Sequence, residues 1–204
     1  RGSGGAGFLT GVKWRQTAVA GDPQRFIFCN ADEGEPGTFK DRVLLTERAQ
    51  LMIEGMTLAA YAIGAQQGVI YLRGEYLYLR DHILTVLEDR RERGLLGRRI
   101  LGVDRFDFDI RLQMGAGSYV CGEEGALISS CEGLPGEPRT RPPYPSDRGY
   151  HGHPTLVQNV ETFCHAARIV AQGPEWFLAM GTAGSHGTKL FSVAGDCARP
   201  GVYE

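Results

Sequence analysis

Within Asn30-Ala31-Asp32-Glu33-Gly34-Glu35-Pro36-Gly37-Thr38, three carboxylates and an amide are broken by two glycines and a proline. The apolar run before it, Arg25 to Cys29, predicts a short buried strand. The polar stretch then forms a loop at the carboxyl end of that strand, where open α/β sheets bind their ligands. Carboxylates placed there can accept hydrogen bonds from a ligand's N–H or hydroxyl groups. A solvated acidic turn is the plainer alternative.

Three further stretches carry chemistry of the same kind. Gly2-Ser3-Gly4-Gly5-Ala6-Gly7-Phe8 fits G-x-G-x-x-G at Gly2, Gly4 and Gly7. Such glycines let backbone N–H groups approach a phosphate, and Lys13 adds a positive charge nearby. The pattern carries weight only after a strand and before a helix; Phe8 to Thr17 is a short helix candidate interrupted by Gly11. Asp32 and Glu33 follow the next strand, where a ribose-binding acid is wanted. In Gly115 to Leu127, glycines at a strand's end lead into a helix starting near Glu123. Glu123 and Glu124 suit the helix dipole. Alternatively one of them accepts from a ligand N–H, with Gly117 to Gly122 against a flat ligand and Tyr119 as a wall. Gly133 to Tyr150 is a long loop with five prolines and the arginines Arg139, Arg141 and Arg148. Loops of that length are usually functional or mobile. Arg141 and Tyr144, beside Pro142 and Pro143, could clamp a nucleotide. His151-x-His153 lacks a third metal ligand, and loop histidines are mostly ordinary.

The elements that must position these stretches alternate in type. Glu47 to Ala65 is the clearest helix, with Leu51, Met52, Met56, Ala59, Ala60 and Ile63 on one face. Gly68 to Arg73 predicts a strand, Tyr78 to Arg93 a helix closed by Gly94, and Asp107 to Met114 an alternating strand. Strand–helix–strand–helix–strand predicts an α/β fold with a parallel sheet. Thr155 to Ala171 predicts a helix, with Asn159 near its start as a cap or a phosphate contact. Lys189 to Gly195 predicts a strand and Arg199 to Glu204 begins another, so a new β-rich unit is expected there.

Composition excludes several classes. The 204 residues are 42% hydrophobic and 23% charged, an ordinary globular balance. A net charge of -2 gives no electrostatic case for nucleic acid or an anionic membrane. The most apolar segment, Met56 to Leu72, is broken by Gly64, Gln66, Gln67 and Gly68 and reads as helix plus strand, so no membrane insertion is expected. Five cysteines (29, 121, 131, 164 and 197) contain no C-x-x-C and suit neither zinc nor an iron–sulfur cluster. They fit reduced thiols and a cytoplasmic location. The start on Arg1 fits an excised piece of a longer protein.

Taken in order, these blocks resemble the flavoprotein subunit of respiratory NADH dehydrogenase (complex I). They also resemble the diaphorase subunits of NAD-reducing hydrogenases and NAD-dependent formate dehydrogenases. The motifs are RGSGGAGFLTGVKW (1–14), CNADEGEPGTFKDR (29–42), IEGMTLAAYAIGA (53–65), YLRGEY (71–76), GAGSYVCGEEGAL (115–127), CEGLPGEPRTRPPYP (131–145), HPTLVQNVETF (153–163) and LFSVAGDCARPGVYE (190–204). DRVLL (41–45) and FDFDIRLQMGAG (106–117) look most like the hydrogenase type.

The resemblance implies a Rossmann-like FMN/NADH-binding domain over residues 1–187, followed by the start of a β-grasp unit at 188–204. It implies FMN contacts from Gly2, Gly4, Gly5, Gly7, Lys13, Asn30, Asp32, Tyr119, Gly122, Glu123 and Asn159, with Glu33 beside the flavin. It assigns Phe8, Glu35, Glu124, Arg141 and Tyr144 to the dinucleotide. Hydride would pass from NADH to FMN, then single electrons onward, so no catalytic side chain and no metal ligand is expected in this chain. A 4Fe-4S cluster would belong to a domain outside it. The implied partners are NADH/NAD, a ferredoxin-like iron–sulfur subunit and a larger multi-subunit oxidoreductase, peripheral to a membrane at most. Four positions depart from the family: Ser3 for Arg, Gln158 for Asn, Arg141 for Lys and Tyr144 for Phe. Ser3 removes a cation near the phosphates. Two other readings stay open: a plain NAD-dependent Rossmann dehydrogenase, and a flavin-less structural or regulatory relative.

Overall fold

The computed structural model describes residues 1–204. Four parallel strands form its sheet: β1 (Phe26–Ala31), β2 (Gln67–Leu72), β3 (Asp109–Met114) and β4 (Thr155–Asn159). Their spatial order is β3-β2-β1-β4. The chain steps outward from β1 to β3, then returns to lay β4 on the other side of β1. Such a reversal opens a crevice between two neighbouring strands at their carboxyl ends. Here the two are β1 and β4, paired in register from Phe26 with Thr155 to Asn30 with Asn159.

Alternation along the strands divides the core in two. Ile27, Cys29 and Ala31 of β1 face a core of 25 buried residues. It is built with α3 (Ala49–Ile63), α4 (Arg80–Glu92) and α7 (Val160–Gln172), and Trp14 and Ala18 of α1 (Thr10–Val19) pack onto it. Phe26 and Phe28 face a smaller core of eight residues, with Leu127 and Ile128 of α5 (Glu124–Cys131) and Tyr150 against it. Both faces of the strands are covered, as parallel sheets require. The helices α3 and α7 touch backbone to backbone, because a Cβ at Gly55 would overlap the carbonyl oxygen of Phe163.

The expected strand–helix order is observed, with shifted boundaries. Residues 155–159 form β4 rather than the first turns of a helix, and the helix begins at Val160. The segment Thr155-Leu156-Val157-Gln158-Asn159 has no period-two alternation and fits a strand buried on both faces as well as a helix. Thr155, Leu156, Val157 and Gln158 are all buried in the slot beside β1. Strand β1 continues two residues past Cys29, so Asn30 and Ala31 belong to the ladder. The helix expected from Glu47 starts at Ala49, and the turn expected at 39–42 grows into α2 (Lys40–Glu47). A 3-10 turn, Gly74–Leu79, precedes α4.

The remaining elements are short: α6 (Pro145–Arg148), α8 (Pro174–Leu178), and two antiparallel pairs, β5 (Gly181–Thr182) with β6 (Ser185–His186) and β7 (Phe191–Val193) with β8 (Gly201–Tyr203). Trp176 and Phe177 of α8 are half-buried cover rather than core. The β7 segment is tied back to the main body by Leu190 N–H donating to Glu161 (2.9 Å) and Phe39 N–H donating to Ser192 Oγ (2.9 Å). No helix is long and apolar enough to cross a membrane.

The α3–α7 contact makes a paired prediction. Gly55→Ala should destabilise the protein by about 3 kcal/mol, because backbone must move. Gly11→Ala, in helix α1 with nothing within 4 Å of the new methyl, should stabilise it by about 0.5 kcal/mol. Denaturant unfolding of the two variants checks both signs.

Candidate functional site

The crevice between β1 and β4 is walled by the four stretches singled out in the sequence. Asn30, the penultimate residue of β1, donates from Nδ2 to the Gly122 carbonyl (2.8 Å) and accepts the Asp32 N–H on Oδ1 (3.1 Å). It thus holds the acidic loop against the 115–122 turn. The fit is close, since a Cβ at Gly122 would stand 3.4 Å from the Asp32 carbonyl oxygen. At the end of β4, Asn159 accepts the Glu161 N–H on Oδ1 (3.0 Å), capping α7, and donates to Asp41 (2.6 Å). The two expected roles of Asn159 therefore meet in one residue: it caps, and it stands in the crevice.

The glycine loop is strapped onto the start of α7. Ser3 N–H donates to Thr162 Oγ1 (2.9 Å), and a Cβ at Gly4 would lie 3.5 Å from Asn159 Cβ. Gly5 (φ 101°) and Gly7 (φ 60°) adopt the left-handed conformation that folds the loop back on itself. The N–H groups of Gly4, Gly5 and Ala6 donate to no acceptor in the chain. Free N–H groups beside the first turn of a helix form an anion site. This donor set fits a ligand's phosphate, and Ser3 shapes the loop through its backbone without the family's arginine. One residue back from Asn159, Gln158 Oε1 is buried with no hydrogen-bond partner.

Two cations and two carboxylates meet at the mouth. Lys13 pairs with Glu124 (2.6 Å), and Arg141 pairs with Glu124 (3.0 Å) and with Glu123. The other Glu123 oxygen accepts the Ala126 N–H (2.9 Å) and caps α5. Glu123 is thus a helix cap whose free oxygen faces Arg141. The aromatic residues remain open: Phe8 is 51% exposed, Tyr119 63% and Tyr144 57%. Tyr119 donates its hydroxyl to Glu35 (2.8 Å), and its ring edge leaves 3.1 Å for a Cβ at Gly34. The Arg141 guanidinium lies over the Tyr144 ring, 5.9 Å from its centroid. Exposed rings at the rim of a polar crevice offer faces for stacking.

Glu33 is placed differently from the other candidates. Its carboxylate is buried and accepts from Asp41 N–H (2.8 Å), Arg42 N–H (3.1 Å) and the Tyr76 hydroxyl (2.9 Å). It anchors the start of α2, so its contribution to the crevice is the position of its backbone rather than a free carboxylate. Behind it lies a set of residues that sequence reasoning missed. Lys40 Nζ sits between Asp41 (2.7 Å) and Glu161 (2.7 Å), both nearly inaccessible to solvent. A lysine in the first turn of a helix opposes the dipole, and that is the available signal of a specific partner. Arg73 donates to the Glu33 carbonyl oxygen and pairs with Glu75 (2.8 Å).

Burial raises the proton affinity of two of these acids. Asp41 is pushed up to about 6, chiefly by desolvation, with Lys40 opposing and Glu33 adding to the shift. Asp32, whose carboxylate has no partner in the chain, is pushed up to about 6 by desolvation, with Arg73 opposing.

Comparison with known proteins gives this geometry a context. Residues 1–168 match the family model described as the Nuo51 FMN-binding domain. The alpha subunit of the NAD-reducing hydrogenase HoxS from Cupriavidus necator is 60% identical over 204 residues, all of this chain and 34% of the relative. A component of the NADH-quinone oxidoreductase of Aquifex aeolicus is 49% identical over 208 residues, all of this chain and 47% of the relative. The NADP-reducing hydrogenase subunit HndC from Solidesulfovibrio fructosivorans is 48% identical over the whole chain and 41% of its own length. Among solved structures, a chain of an NAD+-reducing NiFe hydrogenase in the H2-reduced state superposes with a TM-score of 0.93 at 52% identity. That match covers all of this chain and 34% of the other. The chain thus spans about a third to a half of the length of the relatives it matches.

The raised carboxyls predict a pH dependence. Both bind protons more tightly in the folded state than at the ordinary 3.8, so their contribution favours folding in acid. It is full below about pH 4 and is lost as pH rises through about 6. Half-buried His165, held below its ordinary range chiefly by desolvation, works in the opposite sense over part of this window. A difference measurement therefore isolates the carboxyl. The stabilisation of Asp32→Asn over the parent should be larger at about pH 7.5 than at about pH 4.5, as read by thermal unfolding of the ligand-free protein.

Proposed function

The chain belongs to the Nuo51 FMN-binding domain family, and on that premise we propose that it is the FMN- and NAD(H)-binding part of a multi-subunit oxidoreductase. The supporting observation is the strapped glycine loop, with unused N–H donors beside Asn159 at the reversal of the sheet. In this reading Gly2, Gly4, Gly5, Gly7, Lys13, Asn30, Asp32, Tyr119, Gly122, Glu123 and Asn159 hold the flavin. Phe8, Glu35, Glu124, Arg141 and Tyr144 take the dinucleotide. FMN, when bound, supplies the acceptor for a hydride from the reduced nicotinamide.

The chain's own residues bind, orient and balance charge. The loop N–H groups, with Lys13 beside them, balance the charge of the phosphate. Asn30 and Asn159 fix the floor of the site from the ends of the neighbouring strands β1 and β4. Tyr119, held by Glu35, forms a wall, and the rings of Phe8 and Tyr144 receive flat groups at the rim. Lys13 exchanges its present carboxylate partner for the flavin's phosphate, and Arg141 releases its carboxylates as the dinucleotide enters. Residues 1–187 form the binding domain, and the β7–β8 pair at 188–204 begins the β-grasp unit. Iron–sulfur centres outside this chain, a 4Fe-4S cluster in a further domain and those of a ferredoxin-like partner, would take the electrons. The assembly is cytoplasmic and at most peripheral to a membrane.

The histidines disfavour a plain dehydrogenase, which needs a proton relay beside the nicotinamide. His153 pairs with Asp22 (2.8 Å) and packs on Phe26 at the start of β1, the opposite end of the sheet. His151 lies on Tyr150, and His165 is on α7 against Phe177.

An anaerobic visible spectrum of the full-length protein with FMN, before and after NADH, tests the proposal. A bound-flavin spectrum that bleaches with NADH is expected. A folded protein that takes up no flavin would sink the reading, whereas binding without bleaching would indict the dinucleotide residues alone. Tyr144→Ala should raise the NADH concentration for half-bleaching about 10-fold, the loss of one aromatic stack, and leave FMN affinity unchanged.

A further inference from the structure

Between α4 and β3 the chain makes a loop, residues 94–108, that serves neither the crevice nor the core at its tip. Its base is firm. Gly97 and Phe108 exchange both backbone hydrogen bonds (2.8 and 2.9 Å), Ile100 N–H donates to Phe106 O (2.9 Å), and Leu96, Ile100 and Phe108 are buried. Its tip carries three non-glycine residues in the left-handed region: Arg99 (φ 50°), Leu101 (φ 52°) and Arg105 (φ 64°). Left-handed backbone is unfavourable for a residue with a branched aliphatic side chain. Leu101 is nevertheless 75% exposed and gains little packing within the chain in return. Val103 is 44% exposed beside it. At the loop's flank Tyr61, 64% exposed, stacks edge-on against Phe106 with centroids 5.2 Å apart.

The charges around this apolar tip are unbalanced. Arg99 pairs with Asp104 (3.1 Å), and the Asp107 carboxylate is turned inward to accept the Arg99 N–H (2.8 Å). Arg98 and Arg105 are exposed and pair with no carboxylate of the chain. The loop precedes β3, so it lies at the amino end of the sheet. Six residues of strand, roughly 20 Å, separate it from the crevice.

We infer that the 94–108 loop is a docking knob for another protein subunit, whose surface offers an apolar hollow rimmed by carboxylates. A rigid base, a strained aliphatic tip and two unpaired arginines suit that partner: Leu101 and Val103 fill the hollow while Arg98 and Arg105 meet its rim. The knob shares with the proposed function only the premise of a multi-subunit enzyme, and it is independent of the flavin site.

Site-specific labelling tests it. Leu101→Cys in the full-length protein should react with a maleimide when the polypeptide is isolated, and about 10-fold or more slowly in the assembled enzyme, where the knob is buried. Leu101→Gly, which relieves the left-handed strain, should raise the melting temperature of the isolated polypeptide by about 2–4 °C. The same change should weaken subunit association about 10-fold or more. Arg98→Glu with Arg105→Glu should weaken association most at low salt. Equal labelling of both states, protection already present in the isolated polypeptide, or an effect on self-association alone would overturn the inference. Flavin content and NADH bleaching, read on the same samples, report separately on the crevice.

Discussion

A continuous buried chain of hydrogen bonds and ion pairs holds the working end of this protein together. It starts at Glu33, whose carboxylate takes the first N–H groups of α2, passes through Asp41 to Asn159, and ends where Lys40 meets Glu161. Those five residues lie on the loop after β1, on α2, at the end of β4 and on α7. The acidic loop, the start of α2, the end of β4 and the start of α7 are therefore fixed relative to one another by groups that water barely reaches. Each member is paired, and removing one would strand a buried charge or donor. The raised proton affinity of Asp41 reflects chiefly its desolvation, with Glu33 adding to it and Lys40 opposing.

The larger core explains why the crevice opens where it does. With α3, α4 and α7 packed on one face and only α5 and Tyr150 on the other, the strand ends are left bare toward the glycine loop and the 115–122 turn. The backbone contact at Gly55 brings α7 close against α3. That sets the position of Asn159 and Thr162, which in turn hold the glycine loop. A packing decision in the core thus reaches the ligand-binding loop through two residues.

Much of this is legible in the sequence. The alternation of strand and helix signals points to the parallel sheet, and the turn glycines mark three of the four walls. Asn30, Asn159 and the glycine loop stand where the residue types suggest. What cannot be read is partnership. Glu33 looks like a free acid in a polar loop, but the helix that consumes its carboxylate is visible only as a short turn. Glu123 is open between cap and ligand contact, and it caps with one oxygen while offering the other to Arg141. Residues 155–159 pass for helix because Thr155-Leu156-Val157-Gln158-Asn159, buried on both faces of the sheet, carries no period-two signature. Lys40 and Glu161 attract no notice, since their meaning depends on a distance of 2.7 Å between helices far apart in the chain.

The joint to the last strand pair has its own significance. Leu190 reaches Glu161, and Phe39 reaches Ser192, through main-chain N–H groups. A main-chain donor is present whatever side chain occupies the position, proline aside, so the geometry of this joint is largely blind to sequence at residues 39 and 190. The segment that begins there can change at residue 190 while its seat on the main body stays the same, as long as position 192 keeps a side-chain acceptor. The joint behaves as a standard fitting: the anchoring carboxylate is held in place by its burial, and the segment plugged into it needs only a main-chain donor and one hydroxyl.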